Sequence, residues 1–427
     1  MSYIYKNVIP FQVLQRDPNT NTATLSIDNE RIILPVGGPY TVGKCSNIYV
    51  GDVWVMAGQS NMRGHGFLCN PFDNQSLVIS PVNSICLYAS NENWREAAEP
   101  THNLFTSPRA VHHTLPDPTV ANPDICKFRG ASLGLAFAKE YQRLNNGIPV
   151  GLVACAHGGT SLEDWQRPEE INKNTAQNTL YGAMIDKIHA IGNHVAGILW
   201  YQGESDAVNL EASKTYYERF RHWLDLLRAD TRADMPVAFV QIGAHRIDRP
   251  EGIEAWKNVQ EHQRKLFGYK SITAGVASLD CSLDDRVHLS ASGLIKVGKR
   301  LAHAAIEAVK KTAEFTTPIY EAAACEQIEL IPSVLSVYSI KLSFSHMENL
   351  EWICNEQIEG FELNNCENNV VIVNAKVEGK RVRLYLSHKP TTSDTLYLSY
   401  GMNQQKATLV TTGGSALPAF KRFPILL

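Results

Sequence analysis

Between residues 48 and about 312, short apolar runs alternate with longer stretches of helical period. The runs 53–57, 150–156, 196–201, 237–242 and 273–279 are strand-length and rich in β-branched and aromatic residues. Between them, 132–144, 180–191, 212–227, 255–266 and 294–309 place apolar side chains three and four residues apart. In 212–227, for example, Tyr216, Phe220, Trp223 and Leu227 share one helical face. Near-continuous apolar strands are buried on both sides. The pattern therefore predicts an α/β fold, a parallel sheet with helices on both faces. In such sheets ligands bind beyond the C-terminal ends of the strands, so that edge is where chemistry is sought.

Regions of different character flank this core. Residues 1–47 read as a short N-terminal β region, with strand-like Val13-Leu14 and 24–27 separated by the turn-forming Asp17-Pro18-Asn19. Residues 48–315, which carry this alternation, are expected to form the main domain. In 316–427 the runs 334–344, 370–373, 381–386 and 395–400 alternate apolar and polar residues, which predicts a C-terminal antiparallel β domain. The stretch 67–129, rich in Pro and Asn, reads as a long functional loop.

The chain has 427 residues, enough for two or three domains. Its net charge of -3 advertises neither nucleic acid nor an anionic membrane as partner. No apolar run approaches the roughly 20 residues of a membrane span. The start, Met1-Ser2-Tyr3-Ile4-Tyr5-Lys6, lacks the pattern of a signal peptide, so a cytoplasmic location is expected. Nine cysteines, an odd number without Cys-x-x-Cys spacing, argue against a zinc knuckle or a complete disulfide framework. His112-His113 lies in a Pro-rich stretch and reads as solvated. No metal or other cofactor is expected, and the oligomeric state is left open.

Four segments at strand ends carry candidate chemistry. After 53–57 comes Gly58-Gln59-Ser60-Asn61-Met62, which puts a hydroxyl on the turn leaving a buried strand. After 150–156 comes His157-Gly158-Gly159-Thr160, where glycines let backbone N–H groups approach a ligand. After 196–201 comes Gln202-Gly203-Glu204-Ser205-Asp206, whose Gln202 amide could donate to an oxyanion. After 273–279 comes Asp284-Asp285-Arg286-Val287-His288, where a carboxylate three residues from an imidazole can fix its tautomer. Acyl transfer needs a nucleophile, a base and oxyanion donors, and their convergence on one sheet edge points to that reaction. Gly130-Ala131-Ser132-Leu133-Gly134 also matches G-x-S-x-G. That motif needs a strand before it, and 123–129 is too polar and Pro-broken for a buried one. Ser132 reads as the first turn of a helix.

The ordered blocks Gly58-Gln59-Ser60-Asn61-Met62, Gly158-Gly159-Thr160, Trp200-Tyr201-Gln202-Gly203-Glu204-Ser205 and Asp285-x-x-His288 resemble those of the SGNH hydrolase superfamily. More narrowly they resemble its sialate O-acetylesterase branch of carbohydrate esterases. The likeness extends to Val13-Leu14-Gln15-Arg16-Asp17-Pro18 and to 414–420 near the end. It implies a flavodoxin-like, three-layer α/β/α core. It also implies Ser60 as nucleophile, His288 as base and Asp285 as the orienting acid. The oxyanion hole would come from the Ser60 N–H, a Gly158 or Gly159 N–H, and the Gln202 amide. Most superfamily members carry asparagine where this chain has Gln202.

The expected substrate is a small acetylated sugar, foremost O-acetylated sialic acid. Its carboxylate favours a nearby arginine, and Arg63, Arg129, Arg167 and Arg246 all fall in expected loops, Arg63 foremost. Trp165, Trp94 and Tyr201 could stack on a sugar ring. Glu204 could substitute for Asp285, with a supporting role preferred, and it is expected with Arg63 and Trp165 among the substrate-binding residues. The alternatives are an acetylxylan or other polysaccharide acetylesterase, a lipase-like enzyme, and a non-catalytic carbohydrate-binding protein.

Overall fold

The apolar runs of the middle region pair into a sheet whose strands are buried along their whole width. The computed structural model describes residues 3–27, 30–311, 316–331, 335–353, 357–364, 370–390, 396–402 and 407–425. The central strands are β1 (Cys45–Gly58), β2 (Ile85–Tyr88), β3 (Trp94–Glu96), β4 (Val150–Ala154), β5 (Gly197–Tyr201), β6 (Val237–Gln241) and β7 (Thr273–Ala277). They stand in the order β7-β6-β5-β1-β4-β2-β3. Neighbours are parallel except for the β2–β3 hairpin at the edge. Numbered by themselves along the chain, β1 and β4–β7 stand 2-1-3-4-5.

Five longer helices cover this sheet: α1 (Gly134–Leu144), α2 (Leu180–Ala190), α3 (Tyr216–Asp230), α4 (Pro250–Arg264) and α5 (Ala291–Lys310). The register shows that both faces are covered. Gly197 lies opposite Trp54, and Trp200 lies opposite Ala57. Alternate residues of a strand face opposite ways, so the two tryptophans project from opposite faces. Trp54 packs edge-on against Phe137 and Tyr141 of α1. Trp200 packs against Phe220 and Trp223 of α3.

Strand β1 runs for 14 residues and serves two regions. Its first half pairs with Val13–Gln15 and Gly37–Val42 of the N-terminal region. Its second half is the centre of the parallel sheet. The expected division at 47/48 thus falls inside one continuous strand. A separate hairpin, Thr22–Ile27 with Glu30–Pro35, completes the N-terminal region.

The stretch 67–129 is not all loop, because β2 and β3 lie within it. Four apolar residues, Ile85–Tyr88, are too short a run to stand out among Pro and Asn, yet they add a strand to β4. The helix expected over 212–227 is broken at Thr215 into Leu210–Lys214 and α3. The C-terminal region is antiparallel. Ile319–Ile331, Leu335–Ser345, Arg381–Leu386 and Ile372–Glu378 form one sheet in that spatial order, and Phe361–Asn364, Tyr397–Tyr400 and Phe420–Pro424 another. Expected strand starts at Val334 and Thr395, and Cys354 and Cys366, lie outside the described residues.

This region has its own apolar core, and Leu279, just beyond β7, is part of it. The side-chain amide of Gln241 pairs with both backbone groups of Ala419, accepting at 2.8 Å and donating at 3.0 Å. Arg300 of α5 donates to the Gly414 carbonyl at 2.7 Å. The described cysteines are free thiols. Among the described residues, no helix is long and apolar enough to cross a membrane.

Candidate active site

Strand β1 ends where backbone crowding demands glycine. Gly58 has φ +129°, and a Cβ there would stand 2.2 Å from the Tyr201 carbonyl oxygen. The chain then turns into a short helix, Ser60–Arg63, whose first residue is Ser60. The adjacent Gln59 fastens this turn to the end of β5. Its N–H donates to the Tyr201 carbonyl at 2.8 Å. Its Oε1 accepts from the Gly203 and Ser205 N–H groups at 3.3 and 3.2 Å.

The loop after β7 reaches the same point. His288 Nε2 lies 2.8 Å from the Ser60 hydroxyl, across 228 positions of sequence. Its Nδ1 lies 2.8 Å from Asp285 Oδ2. Asp285 Oδ1 accepts from the Val287 and His288 N–H groups at 3.0 and 2.9 Å, which closes the loop on itself. Burial raises the Asp285 carboxyl, but those N–H groups and the His288 ring outweigh it and hold it at about 2. Burial pushes His288 below its usual 6.5, Asp285 pulls it back, and Arg63 and Arg129 push it down further. At neutral pH the pair therefore rests as carboxylate and neutral imidazole. With Nδ1–H directed at Asp285, Nε2 is left as an acceptor facing the Ser60 hydroxyl.

Gly158 and Gly159, after β4, line the same cleft as Ser60. Of the two glycine N–H groups expected as oxyanion donors, that of Gly158 is taken by Asp117 Oδ2 at 3.1 Å, which leaves Gly159. Gly159 has φ +72° and is exposed, and among the described residues no acceptor takes its N–H or that of Ser60. Both residues line the cleft, so these two N–H groups are candidates for an oxyanion. A Cβ on Gly158 would meet Asp117 Oδ2 at 2.2 Å, so only glycine admits this carboxylate. The cleft measures about 310 Å³ and is lined by Gln59, Ser60, His65, Gly159, Glu204 and His288, with Pro118, Val208 and Val287 as apolar wall. A hydroxyl, an imidazole paired with a carboxylate, and unpaired N–H groups lining one cleft are the group types that acyl transfer requires.

Comparisons with known proteins give the family. The family model described as carbohydrate esterase, sialic acid-specific acetylesterase matches residues 50–307. The chain belongs to this family. It is accordingly a carboxylic ester hydrolase acting on carbohydrate esters. A probable carbohydrate esterase of Arabidopsis thaliana is 26% identical over 63% of this chain and 97% of its own length. The sialate O-acetylesterase of Homo sapiens is 24% identical over 52% of this chain. The chain spans only 45% of that relative's length. A carbohydrate acetylesterase from Xanthomonas citri has the same fold, with a TM-score of 0.67 at 22% identity over 97% of this chain and 98% of its own.

Several expected roles in this carbohydrate esterase do not fit the coordinates. Gln202 is fully buried. Its Nε2 donates to Asp206 Oδ2 at 2.6 Å and to the Thr160 carbonyl at 3.2 Å, and its Oε1 accepts from the Tyr216 hydroxyl at 3.0 Å. With its donors occupied inside the protein, the amide ties β5 to the Thr160 turn and does not serve an oxyanion. Trp165 is also fully buried, donating to Thr160 Oγ1 at 3.0 Å, so it is core and no sugar platform. Trp94 and Tyr201 are buried likewise.

Arg63 does line the cleft, but it is only 2% exposed. Its Nε lies 3.3 Å from Asp117, and its Nη1 donates to Thr119 Oγ1 at 3.2 Å. Its charge is thus answered internally and is not free for a substrate carboxylate. Arg167 is paired with Asp230, Arg246 is exposed, and Arg129 lies 4.0 Å from Asp285. Glu204 lines the cleft, and burial raises its carboxyl to about 7. Its Oε1 accepts from Asn61 Nδ2 at 2.6 Å, while the carboxylate on His288 Nδ1 is Asp285.

Residues that the sequence did not single out complete the site. Asp117 lies in the long stretch, 41 positions from its partner Gly158. His65 packs 4.1 Å from the His288 ring, its Nδ1 faces Arg63, and burial holds it at about 3. One signal was present, since His65 follows the nucleophile block closely in a glycine-flanked position. His65, Asp285 and His288 bring ligand atoms within 4.8 Å of one another. Arg63 and Arg129 stand beside them, and their charge opposes a metal cation.

Proposed function

We propose that this chain is a serine O-acetylesterase that removes acetyl groups from sugars through an acyl-enzyme. The observation that carries this reading is the 2.8 Å approach of His288 Nε2 to the Ser60 hydroxyl, with Asp285 2.8 Å from Nδ1. Ser60 Oγ attacks the acetyl carbonyl carbon while its proton passes to His288. The tetrahedral oxyanion rests on the Ser60 and Gly159 N–H groups. Collapse expels the sugar oxygen, which takes the proton from His288. Water, activated by the same imidazole, then attacks the acetyl-serine, releases acetate and restores the hydroxyl. The strand order 2-1-3-4-5 and the two helical layers support the flavodoxin-like, three-layer core that goes with this chemistry.

The specific sugar is a finer question. O-acetylated sialic acid is suggested by the family's description and by distant relatives of that name. Against it, Arg63 is the one guanidinium lining the cleft among the described residues, and Asp117 neutralises it. Among the described residues, a carboxylated sugar brought into the cleft would find no free cation in its lining to repay its desolvation. We therefore favour a neutral acetylated saccharide such as acetylated xylan. Acetate release from acetylated xylan and from 9-O-acetylated sialic acid, measured side by side, tests the choice. Faster turnover of the xylan is expected, and a strong preference for the sialate ester overturns it. Loss of both activities in Ser60→Ala is expected, and retention would instead favour a carbohydrate-binding role with adventitious hydrolysis.

A further inference from the structure

Asn61 follows Ser60 in the chain, yet its side chain turns towards the loop that carries His288. Its Oδ1 accepts from the Leu289 N–H at 3.0 Å, and its Nδ2 donates to the Val287 carbonyl at 3.2 Å. These two groups flank His288 on either side. The same Nδ2 donates to Glu204 Oε1 at 2.6 Å. Asn61 is 1% exposed and Glu204 5%, so water does not compete for these bonds. A carboxylate in place of Asn61 would offer no donor to Val287, and an aliphatic side chain would offer nothing to either group. Glu204 also fixes which end of the amide faces which way. As an acceptor it holds Nδ2, which leaves Oδ1 for Leu289. The loop has one other hydrogen bond to the segment after Ser60, a longer one from the Phe67 N–H to Asp284 Oδ2 at 3.3 Å.

We propose that Asn61, oriented by Glu204, is a positioning residue that brackets the backbone of His288 and keeps its imidazole in reach of the Ser60 hydroxyl. This rests on the reading of Ser60 and His288 as nucleophile and base. The bracket couples the ends of three strands. Ser60 and Asn61 follow β1, Glu204 follows β5, and the base follows β7. A small drift of a catalytic group is costly, since a displacement of about 1 Å can lower a rate by about 10²-fold.

Two substitutions test it, with p-nitrophenyl acetate as substrate and the melting temperature recorded alongside. Asn61→Ala removes both contacts to the loop. Its kcat should fall by about 10²-fold with KM changed by less than about threefold, because the acyl group is still bound but the base is misplaced. The paired change N61D/E204Q reverses the polarity of the buried hydrogen bond and keeps an acceptor for Leu289. It leaves the Val287 carbonyl without its donor. Its melting temperature should stay near that of the unmodified protein while kcat falls by about tenfold. A folded Asn61→Ala protein with kcat within about threefold of the parent overturns the proposal. Should that variant not fold, an undiminished kcat in N61D/E204Q overturns it equally. Ser60→Ala separates the two possible failures. Activity surviving there removes the serine-esterase reading itself. A dead Ser60→Ala beside a fully active Asn61→Ala removes only the positioning role.

Discussion

Two serines of this chain sit near a carboxyl and a histidine, and their surroundings differ in one respect. Ser132 Oγ donates to Glu99 Oε1 at 2.8 Å and accepts from the Gly134 N–H and the Thr101 hydroxyl, each at 3.1 Å. Thr101 in turn lies 3.0 Å from His102 Nδ1. Every hydrogen-bonding position of that hydroxyl is filled, and it is 4% exposed. The Ser60 hydroxyl has one side-chain partner among the described residues, His288, and it opens to a cleft. A proton given to a base that can pass it on makes a nucleophile. A proton locked among saturated neighbours makes a structural knot. The inventory of residue types is nearly the same in both places, and the number of unfilled hydrogen-bond positions tells them apart.

The sharpest way to break this contrast is to remove each hydroxyl in turn. Ser60→Ala should lower kcat by about 10⁴-fold or more, while Ser132→Ala keeps kcat and loses about 1–3 kcal/mol of stability from the disrupted buried network. Activity measured beside urea unfolding tells the two outcomes apart, and loss of turnover in folded Ser132→Ala would reverse their roles. Next in size is Asp117→Ala. Freed from its carboxylate, the Gly158 peptide can rotate and carry the Gly159 N–H off the oxyanion, so kcat should fall by about 10²-fold. An unchanged kcat would remove Gly159 from the site.

The pH dependence is a milder probe. Only neutral His288 accepts the serine proton, and its imidazole titrates below 6.5. The value of kcat/KM should rise with pH through a midpoint under 6.5 and level off above it. A midpoint above 6.5 would mean that Asp285 outweighs burial. The smallest effect concerns Glu204. Its buried carboxyl holds its proton up to about 7, against 4.5 for the free side chain. The folded state thus binds a proton that the unfolded chain releases, and Glu204 costs stability as pH rises across that window. Glu204→Gln removes the cost. The melting temperature of the variant relative to the parent should therefore climb between about pH 5 and pH 8. A pH-independent difference would place the group among ordinary carboxylates.

The sequence made part of this legible. Ser60 follows just after β1, and Asp285 and His288 sit on the loop after β7, so the sheet topology brings both segments to one edge. Gln202 follows directly on β5, but no spacing rule states which way an amide turns, and Asp206, four residues on, captures it. Trp165 looked like a ring platform because aromatics serve surfaces and cores alike; its neighbours Trp200 and Thr160 decide for the core. Asp117 was out of reach because its partner lies in another segment and nothing local marks it. Arg63 was found, but its neutralisation by Asp117 was hidden for the same reason. Strand β2 was missed because four apolar residues carry too little periodicity to stand apart from a Pro-rich neighbourhood.

One consequence follows from the length of β1. The strand that leads to Ser60 begins among the N-terminal region's ladders, and Arg16 grips its middle at Asp52 through a 2.9 Å ion pair. Residues that look like a dispensable preface are therefore footing for the reaction centre. Grafting the hydrolase core onto a different leader sequence would shift the foundation on which Ser60 stands, however faithfully the catalytic residues themselves were copied.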